Sequence, residues 1–231
     1  MGKYKEEKNA VEKQIWDLAE IHSCLNVLDI GIGNNPNSII KLIELGANVT
    51  AIDIELKKVE QNKHLDARLI HADVTKLPFQ GKEFDLSVLF FILHEISDKD
   101  HSKVIEELFR VSDKVMLVEP VPDGGELYLE YYSIFQGVMD SIGKIEKYRA
   151  LSYWTKLFNK PNIKLQHSET FKFEDKLIDT EAEEYFNDLI EYIKILNVPE
   201  KYISDFKKLK SEVVKNGMTF SDINVIIAET C

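Results

Sequence analysis

The stretch VLDIGIGNNP, Val27 to Pro36, decides how the rest of the chain is read. It starts as an apolar strand, carries an acid at Asp29 and reaches Gly31 and Gly33, two positions apart. It then breaks into Asn34, Asn35 and Pro36. Glycines so placed let backbone approach a ligand closely and adopt conformations barred to other residues. A dinucleotide fingerprint reads G-x-G-x-x-G, its third glycine allowing close helix–strand approach. Pro36 occupies that third position and suits the start of a helix, where its missing N–H costs nothing. The departure counts against a nicotinamide or flavin cofactor.

Outward from this loop, strands alternate with single helices. LNVLDI (25–30) reads as a strand, and NSIIKLIELG (37–46) as a helix stopped by Gly46. NVTAIDI is the next strand, LKKVEQNKH a short helix, and ARLIHADV and EFDLSVLFFIL are two more strands. SKVIEELFRVS is a helix and DKVMLVEP a strand. The strands are continuous apolar runs, which predicts a mostly parallel α/β sheet, doubly wound, with helices on both faces. Upstream, Val11, Ile15, Leu18 and Ile21 have helical spacing. After Pro120 come a long aromatic helical region (126–158) and a strand at 162–173. Two amphipathic helices split by Pro199 and a final strand, DINVIIAET, follow. No repeat, low-complexity run or Gly/Ser/Pro linker is evident, so one domain, 1–231, is expected, with helical additions at about 122–160 and 179–216.

Composition narrows the function. The chain has 231 residues, 44% hydrophobic and 30% charged, as in ordinary globular proteins. A net charge of −11 argues against a nucleic-acid-binding surface. Two cysteines, Cys24 and Cys231, make no disulfide framework; a buried thiol and a dangling one in a reducing compartment are expected. The charged N-terminus lacks an apolar signal core and no run approaches a membrane span, so the expected location is the cytoplasm.

Further acids stand at strand ends. Asp53 closes the second strand, where a carboxylate can accept bonds from both ribose hydroxyls. Asp73 closes the third and could accept a bond from an adenine amino group, with Val74 against the ring. A lone Asp more often caps a loop or helix. Three in register with a Gly-x-Gly loop are harder to assign to capping alone.

The pattern resembles the class I S-adenosylmethionine-dependent methyltransferases, especially their small-molecule branch. VLDIGIG, AID with Asp53, HADVTKLPF, FDLSVLFFILHEI and IEELFRVSDKVMLVEP carry the resemblance in the family's order. It implies a Rossmann-like methyltransferase fold of seven strands, the last antiparallel, with S-adenosyl-L-methionine as cofactor. It implies that Asp29, Gly31, Gly33, Asn34 and Asn35 lie around the cofactor's methionine part. Asp53 and Ile54 would then hold the ribose side, Asp73 and Val74 the adenine, and Leu89 and Phe90 the region near the sulfonium. Asn35 replaces a glycine that many members have, and asparagine tolerates left-handed backbone well.

Methyl transfer needs mainly that nucleophile and methyl be held at near-attack distance. A base helps when the acceptor must lose a proton, and His94, in FFILHEISD just past the fourth strand, is the candidate catalytic residue. The alternative is a histidine that only fixes its loop. Asp98 stands where H-E-x-x-H needs a second histidine, so no metal is expected. Asp98, Asp100 and His101 read better as caps for the next helix. The fourth-strand motif lacks an N-P-P-Y type sequence associated with exocyclic base amines. Tyr128, Tyr131, Tyr132 and Phe135 are spaced to face inward on adjacent turns, as a lid over substrate or as ordinary core. The helices from Thr180 to Asn216 would complete that lid or form a homodimer contact. The expected function is methyl transfer to a small or medium-sized metabolite by in-line displacement. A protein or RNA methyltransferase and a non-catalytic cofactor-binding protein are the alternatives.

Overall fold

The computed structural model describes residues 2–231. Helix α1 (Lys3–Leu18) precedes β1 (Asn26–Ile30), α2 (Asn37–Glu44), β2 (Asn48–Asp53), α3 (Leu56–Gln61), β3 (Arg68–His71) and β4 (Phe84–Phe90). A single 3-10 turn (Leu93–Glu95), α4 (His101–Val111) and β5 (Ser112–Pro120) come next. The chain finishes with α5 (Glu126–Ser141), α6 (Leu151–Phe158), β6 (Ile163–Phe171), α7 (Asp179–Ile195), α8 (Glu200–Asn216) and β7 (Ile223–Thr230). The aromatic region read as one helical stretch is therefore two helices, because Gly143 takes a left-handed φ of 73° just after α5.

The chain divides into two compact units. One is a sheet unit of Gln14–Glu119, Ala150–Thr170 and Asn224–Cys231; the other, a helical unit, is Met1–Lys13, Pro120–Arg149 and Phe171–Ile223. The seven-stranded sheet has the order β3-β2-β1-β4-β5-β7-β6. Strands β1 to β5 pair in parallel, with Ile30 beside both Ile52 and Leu89. The sheet as a whole is mixed. Its order reverses at β1: the chain runs out through β2 to β3, then returns to place β4 on the other side. A ligand in such a sheet lies beyond the carboxyl ends of the strands at that reversal. The two exits that meet there are the loop after β1 and the loop after β4.

Alternation sets the sheet's packing. Leu28 and Ile30 join a buried cluster with Leu89, Ile105, Leu117, Trp154 and Ile226. Asp29, between them, must point the other way. In the helical unit, α5, α7 and α8 share a second cluster that includes Tyr131, Phe186, Phe206 and Val213. Burying a side chain of this size is worth about 1.5–3 kcal/mol, which offsets the ordering of helices that propensity alone would not hold.

Two local expectations, at Cys24 and His101, are corrected, and the cap expected at Asp100 is met in position but not by its side chain. Cys24 is exposed, not buried, because it occupies the turn before β1 with a φ of 84°. Asp100 is the N-cap of α4 without a side-chain cap bond; its carbonyl accepts from Val104 N–H at 2.9 Å. His101 is no cap either: it is 1% exposed, with Nδ1 2.9 Å from the Tyr153 hydroxyl and Nε2 3.0 Å from the Ile96 carbonyl. Among the described residues no helix is long and apolar enough to cross a membrane.

Candidate functional site

The exit from β1 is built around Asp29. Its side chain is fully buried, and Ser38 of α2 donates to Oδ2 at 2.6 Å. Oδ1 is buried and has no partner. Burial pushes the carboxyl up from 3.8 to about 7, and the Ser38 bond only partly opposes this. An unsatisfied carboxylate oxygen beside a glycine loop calls for a donor such as an ammonium group.

The loop itself turns on two left-handed residues. Gly31 has φ 86°, and a Cβ there would come within 2.8 Å of the Ile92 side chain. Gly33 has φ 65°, and a Cβ there would meet nothing within 4 Å. Gly31 N–H continues the ladder to the Ile52 carbonyl at 2.9 Å. Asn34 is bonded to the Lys58 ammonium. Asn35 does not take positive φ, so the expected left-handed turn at that position is not used. Pro36 sits at the N-cap of α2 and its carbonyl accepts from Ile40 N–H at 3.0 Å.

Asp53 is engaged before any ligand arrives. Its Oδ2 accepts from Ile32 N–H at 3.0 Å and Gly33 N–H at 3.2 Å, and its Oδ1 from Glu55 N–H at 2.7 Å. It thus braces the glycine loop. A carboxylate offers about four acceptor positions, so capacity for a hydroxyl remains. Ile54 next to it is 68% exposed, an unusual apolar side chain to leave in water. Asp73 is exposed and closes a local turn, accepting from Thr75 N–H at 2.8 Å, while Val74 packs on the sheet's core.

The exit from β4 carries the other half. Leu89 is fully buried, and Phe90 stacks on Trp16 with centroids 5.0 Å apart. Phe91 has φ 57°, a strained conformation for an aromatic residue, fixed by its N–H bond to the Val118 carbonyl at 2.9 Å. His94 is 5% exposed, and its Nδ1 lies 2.6 Å from Oε2 of Glu119, which is fully buried at the end of β5. Oε1 of Glu119 accepts from Ile92 N–H at 3.1 Å and Leu93 N–H at 2.7 Å.

The aromatic residues of α5 are held mainly by packing. Tyr128 is 2% exposed and Tyr131 7%. The Tyr131 hydroxyl lies 2.7 Å from that of Tyr185, and Tyr131 is parallel to Phe135 at 6.0 Å. Burial raises the Tyr131 phenol well above its ordinary range and brings Tyr185 to about 12, so both remain protonated. Tyr132 is partly buried, stacks on Tyr148 at 4.4 Å and accepts the Tyr148 N–H at 3.0 Å. The helical unit therefore uses Tyr128 and Tyr131 as core.

Sequence reasoning misses Glu119, Ser38 and the strained Phe91. Glu119 carries a usable signal: like Asp53, it is an acid ending an apolar strand. Neither the Ser38 contact nor a left-handed phenylalanine leaves a local sequence mark.

Comparison with known proteins bears on the fold and on the first half of the chain. Residues 27–114 match a family model described as a methyltransferase domain. A demethylmenaquinone methyltransferase of Listeria monocytogenes is 31% identical over 108 residues, 43% of this chain and 45% of that protein. The chain thus spans about half the length of the curated relatives it matches. Among solved structures, a SAM-dependent methyltransferase of Methanosarcina mazei superposes with a TM-score of 0.59 at 17% identity, covering 92% of this chain and 96% of that one. Coclaurine N-methyltransferase, bound to N-methylheliamine and SAH, gives 0.63 at 12% identity over 95% of this chain and 72% of that one. Residues 27–114 are thus similar to a methyltransferase domain, and the seven-stranded sheet that the rest of the chain completes has the fold of the methyltransferases it superposes on.

Proposed function

We propose that the protein transfers a methyl group from S-adenosyl-L-methionine to a small or medium-sized metabolite. The observation that carries the cofactor reading is Asp29: a fully buried carboxylate with an unpartnered oxygen, beside a glycine loop at the sheet's point of reversal. The cofactor's α-ammonium supplies the donor that oxygen lacks, and the open space over Gly33 admits its amino-acid portion. Asp53 and Ile54 take the ribose side, and Asp73 and Val74 the adenine side. Leu89 and Phe90 line the reacting end. Held by these residues, the cofactor would supply a methyl carbon activated by its positive sulfur. The chain's part is to bind, orient and exclude water, and to take the acceptor's proton on His94.

Net charge −11 supports a metabolite over a nucleic acid. The demethylmenaquinone methyltransferases that the chain resembles point the same way, as does the small organic molecule bound to coclaurine N-methyltransferase. Tyr132 and Phe135, which are partly buried, are the substrate-side candidates from α5. The segment from Glu126 to Phe158 serves in this reading as a cover. It should exchange amide hydrogens more slowly once cofactor is bound, and equal protection in both states would remove that role.

The decisive experiment is thermal unfolding with ligands. S-adenosylmethionine or its demethylated product at a hundredfold excess over Kd should stabilise the protein by about 2.7 kcal/mol. A shift with a nicotinamide dinucleotide, and none with S-adenosylmethionine, would overturn the reading. Binding without any labelled-methyl turnover across a metabolite panel would leave a cofactor-binding protein without catalysis.

A further inference from the structure

We infer that Ser38 is a positioning residue for the cofactor: by holding one oxygen of Asp29 it leaves the other, Oδ1, as a fixed acceptor at the exit from β1, and so makes the site select ligands that carry an α-ammonium group. Only the identity of the ligand rests on the methyltransferase reading; the arrangement of the two side chains stands alone. Asp29 is fully buried, and its Oδ2 accepts from the Ser38 hydroxyl at 2.6 Å. Its register neighbours across the sheet, Ala51 on β2 and Val88 on β4, bring no donor side chain. Oδ1 is buried and has no partner among the described residues. A carboxylate with one oxygen satisfied and the other bare in a dry place gains most from a charged donor delivered to the bare side.

The Ser38 hydroxyl has no duty at its own helix end. It stands two residues past Pro36, the N-cap of α2, and that end has no side-chain cap bond. The helix sets its place: Ile39 and Leu42, both fully buried, anchor α2. Asp29 and Ser38 are nine positions apart, so their bond also joins the two ends of the glycine loop. A clamp on the loop alone would serve every ligand of that loop alike, whereas an orienter of Asp29 serves the ammonium. The loop already has other braces. Asp53 receives Ile32 and Gly33 N–H, and Gly31 N–H is bonded to the Ile52 carbonyl. Asp29 has no such second support. Burial pushes its carboxyl up, and the Ser38 bond is the contact that favours its charged form. Without Ser38 the carboxyl would lack a donor on either oxygen and could turn about its broad χ2 torsion. Neither oxygen would then be held where the ammonium arrives.

The test is calorimetric binding of two ligands to the full chain. One is S-adenosylhomocysteine; the other is the same thioether lacking only its α-amino group. Wild type should bind the first at least about tenfold more tightly, the weight of a hydrogen bond between charged groups. Ser38→Ala should lose most of that preference through weaker binding of the first ligand, while the Kd of the second changes by less than about twofold. Ser38→Thr keeps a hydroxyl at the position and should restore the preference. In an Asp29→Asn background, Ser38→Ala should alter the preference by less than about twofold, because its route to the ligand is gone. Equal weakening of both ligands in Ser38→Ala would reduce Ser38 to a clamp on the loop and overturn the inference, as would a preference that the substitution leaves intact. Wild type that binds both ligands equally would overturn the selection and leave the methyltransferase reading standing. Wild type that binds neither would overturn both.

Discussion

The loops leaving β1 and β4 are held by the same device used differently. Each has two successive backbone N–H groups received by a carboxylate from the end of the neighbouring strand. Asp53 of β2 receives Ile32 and Gly33; Glu119 of β5 receives Ile92 and Leu93. Each loop also contains a residue forced to positive φ, Gly31 or Phe91. The difference lies in burial and in what the spare oxygen does. Asp53 is half-buried and spends its other oxygen on its own turn, through Glu55 N–H. Glu119 is fully buried and spends it on the side chain of His94. A brace open to water can exchange partners with an arriving ligand, whereas a sealed one holds its side-chain partner in place.

Breaking the sealed brace should have the largest effect. Glu119→Ala would leave two amides and an imidazole without their acceptor in a dry environment. Each such buried loss costs about 1–3 kcal/mol, so stability should fall by roughly 3–5 kcal/mol. Denaturant unfolding measures this. A loss under about 1 kcal/mol would mean water replaces the carboxylate, and the contrast with Asp53 would collapse.

Asp29 sharpens the comparison, because it is as buried as Glu119 but has a donor, Ser38, on one oxygen only. Its pKa in the folded chain, about 7, lies above the ordinary 3.8. Between those values the folded state binds more protons than the unfolded, so stability should fall as pH rises from about 4 to 7. With Asp29→Asn this slope should vanish, and the variant should be more stable than wild type at pH 8 by on the order of 2 kcal/mol. Thermal melts across that range check the sign. Cofactor binding should also release protons near neutral pH in wild type and not in the variant, as calorimetry in two buffers would show. A pH-independent wild type would mean that Oδ1 already has a donor.

The legibility of these features follows from how local each signal is. The sequence of elements through β5 is readable because most of the apolar runs are separated by helices with clear stops, such as Gly46 at φ 89°. The acids at 29, 53 and 73 are readable as strand-end residues. Their partners are not: Asp53 engages residues twenty positions back, and Glu119 meets His94 across twenty-five. The aromatic helix exposes the limit of periodicity. Tyr128, Tyr131 and Phe135 repeat as a lid face would, yet Tyr131 also lies within 5.7 Å of Phe206 and 6.3 Å of Phe186. Periodicity reports that a face is buried without saying whether protein or substrate covers it.

A smaller effect separates the two glycines. Gly31→Ala must hold alanine at φ 86° and push against Ile92, so it should cost about 2 kcal/mol. Gly33→Ala bears only the conformational penalty, about 1 kcal/mol, since nothing lies within 4 Å of the added carbon. Their effects on ligand should invert this order: Gly33→Ala, whose methyl enters the open space, should weaken S-adenosylmethionine binding more than it weakens the fold. Equal Kd values for Gly33→Ala and wild type would place the ligand elsewhere.

The smallest effect on the ligand-free protein is expected at Asp53. Its three backbone donors are at the surface or half-buried, so water can replace the carboxylate. Asp53→Ala should therefore cost about 1 kcal/mol or less, several times below Glu119→Ala. The same substitution should reduce S-adenosylmethionine affinity by much more than this suggests. In the proposed reading, a carboxylate that already orders the glycine loop would present that loop to the cofactor's amino-acid portion while adding acceptors for the ribose. The two contributions separate in Asp53→Asn, which keeps one acceptor oxygen for Ile32 and Gly33 but cannot accept both ribose hydroxyls. If the asparagine variant recovers stability and not affinity, the ribose contact is the dominant part. Recovery of both together would mean that Asp53 acts on the cofactor only through the loop, and that the open brace differs from the sealed one in exposure alone.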